Sequence, residues 1–127
     1  MAGVKVILVV EDDRDTLDGW VELLRHAGYR VAAAASFEEG RRALESSPDM
    51  LITDIRLGPY NGLQLVVRAR LANPSLPVLV VTAFHDPVLQ AETERLHAIY
   101  LRKPVDAGQA LAVIGEAFGP AQSQPSF

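Results

Sequence analysis

The strongest constraint on the fold of this chain is a regular alternation of short apolar runs with amphipathic helical patterns. Three of the five runs lack the alternation of apolar and polar residues seen in half-exposed strands, which is typical of strands covered on both faces. The second run is rich in alanine, a poor strand former, but Gly28 marks its start and the alternation requires a strand there. The five candidate strands are residues 5–10, 29–35, 50–53, 78–82 and 99–101.

Between these runs, apolar residues recur at the spacing of one helix face. The second helix opens on a capping-box pattern, Ser36-x-x-Glu39, and Asp86-Pro87 predicts the N-cap and first turn of the fourth. Alternating strands and helices predict a doubly wound α/β fold with a parallel sheet. The apolar positions that define the helices are Leu17, Trp20, Val21 and Leu24 in the first, Phe37, Gly40 and Leu44 in the second, Leu63, Val66 and Val67 in the third, and Ala107, Ala110, Leu111, Ile114 and Phe118 in the fifth.

The size and composition of the chain exclude several classes of protein. Its 127 residues suit one domain, which we place at residues 1–119, with a disordered tail expected over residues 120–127. The net charge of −4 gives no electrostatic support for direct binding to nucleic acid. The absence of cysteine excludes disulfides and thiolate sites. No apolar run is long enough for a membrane span, so we expect a cytoplasmic protein without membrane contact.

Polar residues stand where four of the five candidate strands end. Right-handed crossovers bring the carboxyl ends of parallel strands to one edge of the sheet, where ligands bind in such folds. Each residue alone has an ordinary explanation, such as a helix cap at Asp13 or Asp15 or a turn at Asp54. Together they favour a functional site. The residues are Glu11, Asp12 and Asp13 after the first candidate strand, Asp54 after the third, Thr82 at the end of the fourth and Lys103-Pro104 after the fifth.

This set of residues suits one kind of chemistry. Clustered carboxylates repel one another, and their oxygens are the ligands that a divalent cation such as Mg²⁺ prefers. An aspartate beside Mg²⁺ can attack phosphorus and form an acyl phosphate. Lys103 and Thr82 could then bind the phosphoryl oxygens. Asp54, at the end of the third candidate strand, is the expected nucleophile.

Four stretches, "ILVVEDD", "LITDIRL…NG", "VLVVTA" and "YLRKP", follow one another in the order and spacing of a known family. Over residues 4–118 the chain resembles the receiver domain of two-component response regulators. The resemblance implies a flavodoxin-like (βα)5 three-layer sandwich with a five-stranded parallel sheet of order 2-1-3-4-5. It implies a signalling phosphoacceptor rather than an enzyme acting on other molecules.

The resemblance also implies a role for each matching residue. Asp54 would accept a phosphoryl group from the phosphohistidine of a sensor histidine kinase or a phosphotransfer protein. Asp13 is expected to be a helix cap or neighbour rather than a ligand. The implied roles are Mg²⁺ binding by Glu11, Asp12, Asp54 and the backbone carbonyl of Arg56; phosphate binding by Lys103; switching by Thr82 and Tyr100; and a cis peptide bond between Lys103 and Pro104.

Phosphorylation is expected to change the surface formed by the fourth helix, the fifth strand and the fifth helix. That surface would contact a downstream protein of unknown identity or a second copy in a phosphorylation-dependent homodimer. The sequence contains no effector domain, which predicts either a stand-alone regulator or a piece of a larger protein.

The sequence departs from the family pattern at Leu57-Gly58-Pro59, where the usual proline is displaced by one residue, and at Leu96-His97, which replaces the usual Gly-Ala.

Other functions also stay open. A phosphate sink or a pseudo-receiver that only docks proteins would share this fold. A haloacid-dehalogenase-type phosphohydrolase expects an acid two residues after its nucleophile, where this chain has Arg56. A flavin- or nucleotide-binding module expects a glycine- or serine-rich loop after the first strand, where this chain has acids.

Overall fold

The computed structural model describes residues 3–119, which form a parallel five-stranded sheet with helices on both faces. The order of the strands is β2-β1-β3-β4-β5, which confirms the predicted flavodoxin-like fold. The expected disordered tail, residues 120–127, lies outside the described residues. The strands are β1 Val6–Val10, β2 Arg30–Ala34, β3 Met50–Asp54, β4 Val78–Thr82 and β5 Ile99–Arg102.

Five α-helices cover the two faces of this sheet. Ile7 and Val9 of β1 pack with α1 and α5, whereas Leu8 and Val10 pack on the opposite face with α2 and α3. The two central strands, β3 and β4, are buried along their whole length, as expected for strands covered on both sides. The helices are α1 Arg14–His26, α2 Phe37–Ala43, α3 Leu63–Ala72, α4 Pro87–Arg95 and α5 Ala107–Ala117, and a 3₁₀ turn, Leu44–Ser46, follows α2.

The register of the strands aligns their carboxyl ends. Asp54, the last residue of β3, lies opposite Val81 of β4, and Thr82 lies opposite Arg102 of β5. On the other side of β3, Thr53 lies opposite Val10, so that Glu11 leaves the sheet beside Asp54. The polar residues that follow these strands therefore gather at one edge.

Local details differ from the sequence predictions at several positions. The Ser36 hydroxyl accepts a hydrogen bond from the Glu39 backbone N–H at 3.1 Å, as a capping box requires. The Glu39 carboxylate, however, accepts from the N–H of Ala35 at 2.9 Å rather than from that of Ser36. Val67 was expected among the apolar positions of α3 but is 45% exposed. Strand β3 extends one residue further than predicted and includes Asp54.

A short hairpin follows β3, and the sequence analysis did not predict it. Two-residue strands, Arg56–Leu57 and Tyr60–Asn61, pair antiparallel, and we call residues 56–61 the site hairpin. Gly58 at its tip has φ +61, a left-handed conformation that glycine adopts without strain. Within residues 3–119, no helix has the length and apolar character needed to cross a bilayer.

Candidate functional site

Three carboxylates meet at the carboxyl edge of the sheet. Oxygens of Glu11, Asp12 and Asp54 lie within 4.8 Å of one another. Glu11 is 3% exposed and Asp54 9% exposed, while Asp12 is exposed to solvent. Two buried acids this close together need a positive partner, because charge repulsion between them is little screened in the protein interior.

Lys103 supplies that partner. Its Nζ donates to Glu11 Oε1 at 2.7 Å and to Asp54 Oδ2 at 2.9 Å. The peptide bond between Lys103 and Pro104 is cis. The Lys103 backbone N–H donates to the carbonyl oxygen of Thr82 at 2.8 Å, which ties the loop after β5 to the end of β4. One lysine thus joins the ends of β1, β3 and β5.

The charges of the site do not balance within the cluster. Burial raises the pKa of Glu11 above its ordinary value, although the hydrogen bonds from Lys103 and from the Asp13 backbone N–H oppose that rise. Burial also acts to lower the pKa of Lys103, but the hydrogen bonds and charges of Asp54 and Glu11 outweigh it and hold the pKa above its ordinary value. Three carboxylates therefore face one ammonium, an excess of negative charge on hard oxygen ligands that suits a divalent cation such as Mg²⁺.

Asp13 is not part of this cluster. Its side chain accepts from the backbone N–H of Thr16 at 3.0 Å and caps the N-terminus of α1. Its own N–H donates to Glu11 Oε2 at 3.0 Å. Of the three acids after β1, Asp13 therefore caps α1 and orients Glu11, and Glu11 and Asp12 face the site.

The backbone around Asp54 is tightly packed. Asp54 Oδ1 accepts from the N–H of Arg56 at 3.2 Å, and the Asp54 carbonyl accepts from the Thr53 hydroxyl at 2.9 Å. The chain then returns so closely that the Gly62 N–H donates to the Ile55 carbonyl at 2.6 Å. A Cβ added at Gly62 would lie 1.9 Å from the Asp54 carbonyl oxygen, so only glycine fits there.

The site hairpin contributes a contact that the sequence analysis missed. The N–H of Gly58 donates to Asp12 Oδ2 at 3.0 Å, across 46 residues of sequence. The displaced proline at Leu57-Gly58-Pro59 was the visible signal at this position, and it lies in the tip of the hairpin. Nothing in the sequence paired that tip with Asp12.

The two residues expected to act as switches both form hydrogen bonds with the backbone of Phe84. Thr82 is 2% exposed, and its Oγ1 accepts from the Phe84 N–H at 3.2 Å. The Tyr100 hydroxyl donates to the Phe84 carbonyl at 3.2 Å. The Arg56 guanidinium carbon lies 4.0 Å from the centroid of the Phe84 ring. His85 is exposed, and among the described residues no histidine joins the acidic cluster.

Comparison with known families gives the decisive observation: residues 7–115 match the model of the response regulator receiver domain. The chain belongs to this family. It is a receiver domain of the two-component systems, whose receiver domains interact with histidine kinases. The fold and the order of its strands agree with this assignment.

Curated relatives of this receiver domain include two transcriptional regulators. The transcriptional regulatory protein ZraR of Klebsiella oxytoca is 36% identical over 123 residues, which cover 92% of this chain and 27% of ZraR. The DNA-binding transcriptional regulator NtrC of Escherichia coli is 32% identical over 124 residues, covering 94% of this chain and 26% of NtrC. The chain thus spans about a quarter of the length of these relatives.

Solved receiver domains share this fold over nearly the whole length of the chain. One from Clostridium thermocellum has a TM-score of 0.87 and 27% identity, covering 94% of this chain and 98% of its own. A CheY-like receiver domain protein from Methanospirillum hungatei has a TM-score of 0.85 and 27% identity, covering 96% of this chain and 100% of its own.

Proposed function

We propose that this receiver domain accepts a phosphoryl group on Asp54 from the phosphohistidine of a sensor histidine kinase or a phosphotransfer protein. The observation that carries the proposal is the bond between Lys103 Nζ and Asp54 Oδ2 at 2.9 Å, inside a cluster of three carboxylates. Asp54 is buried on β3, yet its carboxylate reaches the open edge of the sheet where a donor can approach.

The transfer is a displacement at phosphorus. A carboxylate oxygen of Asp54 forms the new bond to phosphorus as the bond from phosphorus to the histidine nitrogen breaks, and the imidazole leaves. The Lys103 ammonium already lies between Glu11 and Asp54, so it can also donate hydrogen bonds to the phosphoryl oxygens once they reach Asp54. Its positive charge stabilises the negative charge of the transferring group.

The residues that would hold Mg²⁺ are Glu11, Asp12, Asp54 and the backbone carbonyl of Arg56. The donor set supports this assignment, because three carboxylate oxygens lie within 4.8 Å and one ammonium does not neutralise them. When bound, the ion supplies positive charge that offsets the repulsion between the Asp54 carboxylate and an incoming phosphoryl group.

Thr82 and Tyr100 would couple phosphorylation of Asp54 to a conformational change in the surface formed by α4, β5 and α5. The Thr82 oxygen already accepts a hydrogen bond from Phe84, so its hydroxyl hydrogen is available to a phosphoryl oxygen on Asp54. Inward rotation of Tyr100 would break its hydrogen bond to the Phe84 carbonyl and reshape that surface. Phosphorylation shifts this equilibrium only as far as it binds the inward state better.

The output of this surface would be contact with a downstream protein or with a second copy of the chain. The net charge of −4 does not support direct contact with nucleic acid by this domain, although NtrC is named a DNA-binding regulator. A phosphate sink differs in one respect only: phosphorylation would leave the surface of α4, β5 and α5 unchanged. We propose no catalysis on other molecules.

Intact-mass analysis after incubation with acetyl phosphate and Mg²⁺ tests the proposal. The wild-type chain should gain one phosphoryl group, and Asp54→Asn should gain none. Asp18→Asn is the matched control, because Asp18 is an exposed aspartate on α1 outside the cluster. A phosphoryl group retained on Asp54→Asn would place the nucleophile elsewhere.

A further inference from the structure

The site hairpin is anchored on the body of the domain by two side chains, Leu57 and Tyr60, which are paired across its two strands. Leu57 is 2% exposed and belongs to the core between the sheet and α3. The Tyr60 ring stacks on the ring of Phe37, with centroids 4.7 Å apart and an angle of 18° between the planes. Phe37 is the first residue of α2 and is 8% exposed, so it offers the hairpin a fixed surface.

These anchors determine where the tip of the hairpin lies. The tip residue Gly58 has a left-handed backbone conformation, and its N–H meets the Asp12 carboxylate at 3.0 Å. Asp12 is the exposed member of the acidic cluster, whereas Glu11 and Asp54 are buried and share Lys103. Asp12 therefore depends on the hairpin for its orientation more than the other two acids do.

Orientation matters for a carboxylate that has to share an ion with two neighbours. An ionised carboxylate has about four acceptor positions, so an N–H on Oδ2 leaves the other oxygen free to face the cluster. A side chain held in this way loses less freedom when an ion binds. Partners that orient metal ligands commonly affect metal affinity by about 10–100-fold when they are removed.

We propose that Tyr60 is a positioning residue for the metal site: its stacking on Phe37 holds the hairpin so that the Gly58 N–H orients Asp12 for a divalent cation. The inference rests on the proposed Mg²⁺ site. Tyr60 is not one of the three carboxylates of the cluster, and it is 53% exposed. Its removal therefore tests the support of the ligand without removing a ligand.

The experiment compares Mg²⁺ binding to the unphosphorylated wild type, Tyr60→Ala and Tyr60→Phe by calorimetric titration. Tyr60→Ala should weaken Mg²⁺ binding about tenfold, at the low end of the range for such partners. Tyr60→Phe keeps the ring and should bind Mg²⁺ as the wild type does. Leu71→Ala is the matched control, because Leu71 is an exposed apolar residue on α3, 81% exposed, and should leave Mg²⁺ binding unchanged.

A second measurement needs no metal. Amide hydrogen exchange at Gly58, recorded without Mg²⁺, should be faster in Tyr60→Ala than in wild type and Tyr60→Phe. Wild-type Mg²⁺ affinity in Tyr60→Ala would overturn the inference, even if Gly58 exchanged faster. A wild-type chain that binds no Mg²⁺ would overturn the metal site in the proposed function as well, so the two failures are distinguishable.

Discussion

Replacement of Gly62 by alanine should destabilise the domain through steric overlap with the end of β3. Gly62 has φ −60 and ψ −21, which any residue adopts, so conformational freedom is not the reason for glycine here. The reason is space, because an added Cβ would lie 1.9 Å from the carbonyl oxygen of Asp54 and 3.0 Å from the hydroxyl of Thr53. Both neighbours belong to the end of β3, which is fixed by β1 and β4 on either side.

The expected change in the free energy of unfolding can be compared with that of the same substitution at a second glycine. Overpacking of a tight site typically lowers the free energy of unfolding by about 1–3 kcal/mol. Gly115 lies inside α5, and a Cβ there meets no atom within 4 Å. Gly115→Ala should therefore raise the free energy of unfolding by roughly 0.5–1 kcal/mol, as in other helix interiors. The two alanine variants should differ by about 1.5–4 kcal/mol.

Urea unfolding at equilibrium measures this difference, with the sole Trp20 as a fluorescent probe in the core. Gly62→Ala should unfold at lower urea than the wild type, and Gly115→Ala at higher urea. Gly62→Ala should also lose phosphorylation by acetyl phosphate, because the strand end that carries Asp54 must move. If Gly62→Ala is as stable as wild type, the reasoning from the close contact is refuted.

Four further outcomes test other parts of the site and its surroundings. Added Mg²⁺ should raise the melting temperature, and Asp12→Ala should lose most of this increase; an unchanged increase would remove Asp12 from the metal site. Lys103→Met should lower the free energy of unfolding by up to about 3 kcal/mol, because it leaves two buried carboxylates without their cation, and Mg²⁺ should restore part of the loss in a thermal melt. His97→Gly should raise the free energy of unfolding by roughly 1 kcal/mol in urea, since His97 has φ 59. Beryllofluoride, a phosphoryl mimic, should change amide exchange across residues 84–101 in wild type and much less in Thr82→Ala; changes confined to the loops of Asp12 and Asp54 would indicate a phosphate sink.

The alternation of apolar runs was sufficient to predict a doubly wound parallel sheet, because strands buried on both faces leave few other arrangements. The same argument brought the acidic cluster and Lys103 together, since parallel strands end at a common edge. The order of the strands was predicted from the resemblance to receiver domains. The bond from Gly58 to Asp12 could not be predicted in this way. It joins two loops across 46 residues and depends on where a stacked tyrosine places a hairpin tip.

The structure also explains how the chain accommodates the second departure from the family pattern, Leu96-His97. His97 turns the chain between α4 and β5 in a left-handed conformation that costs a non-glycine residue about 1–2 kcal/mol. The Arg70 side chain of α3 donates to the carbonyl of His97 at 2.8 Å and to that of Pro74 at 2.9 Å. These hydrogen bonds to a charged group offset the strain and tie the end of α4 to α3.

This tie limits how a phosphorylated site could move α4. The N-terminal end of α4 follows the loop of Phe84, whose backbone contacts both Thr82 and Tyr100. The C-terminal end is held through the Arg70–His97 bond to α3, which packs in the same core cluster as Leu89 and Leu96. A rigid shift of the whole helix would break that bond, whereas a pivot about its C-terminal end would keep it. We therefore expect exchange changes on beryllofluoride binding to be largest near Phe84 and to decrease along α4 toward His97, and a uniform change along α4 would contradict the pivot.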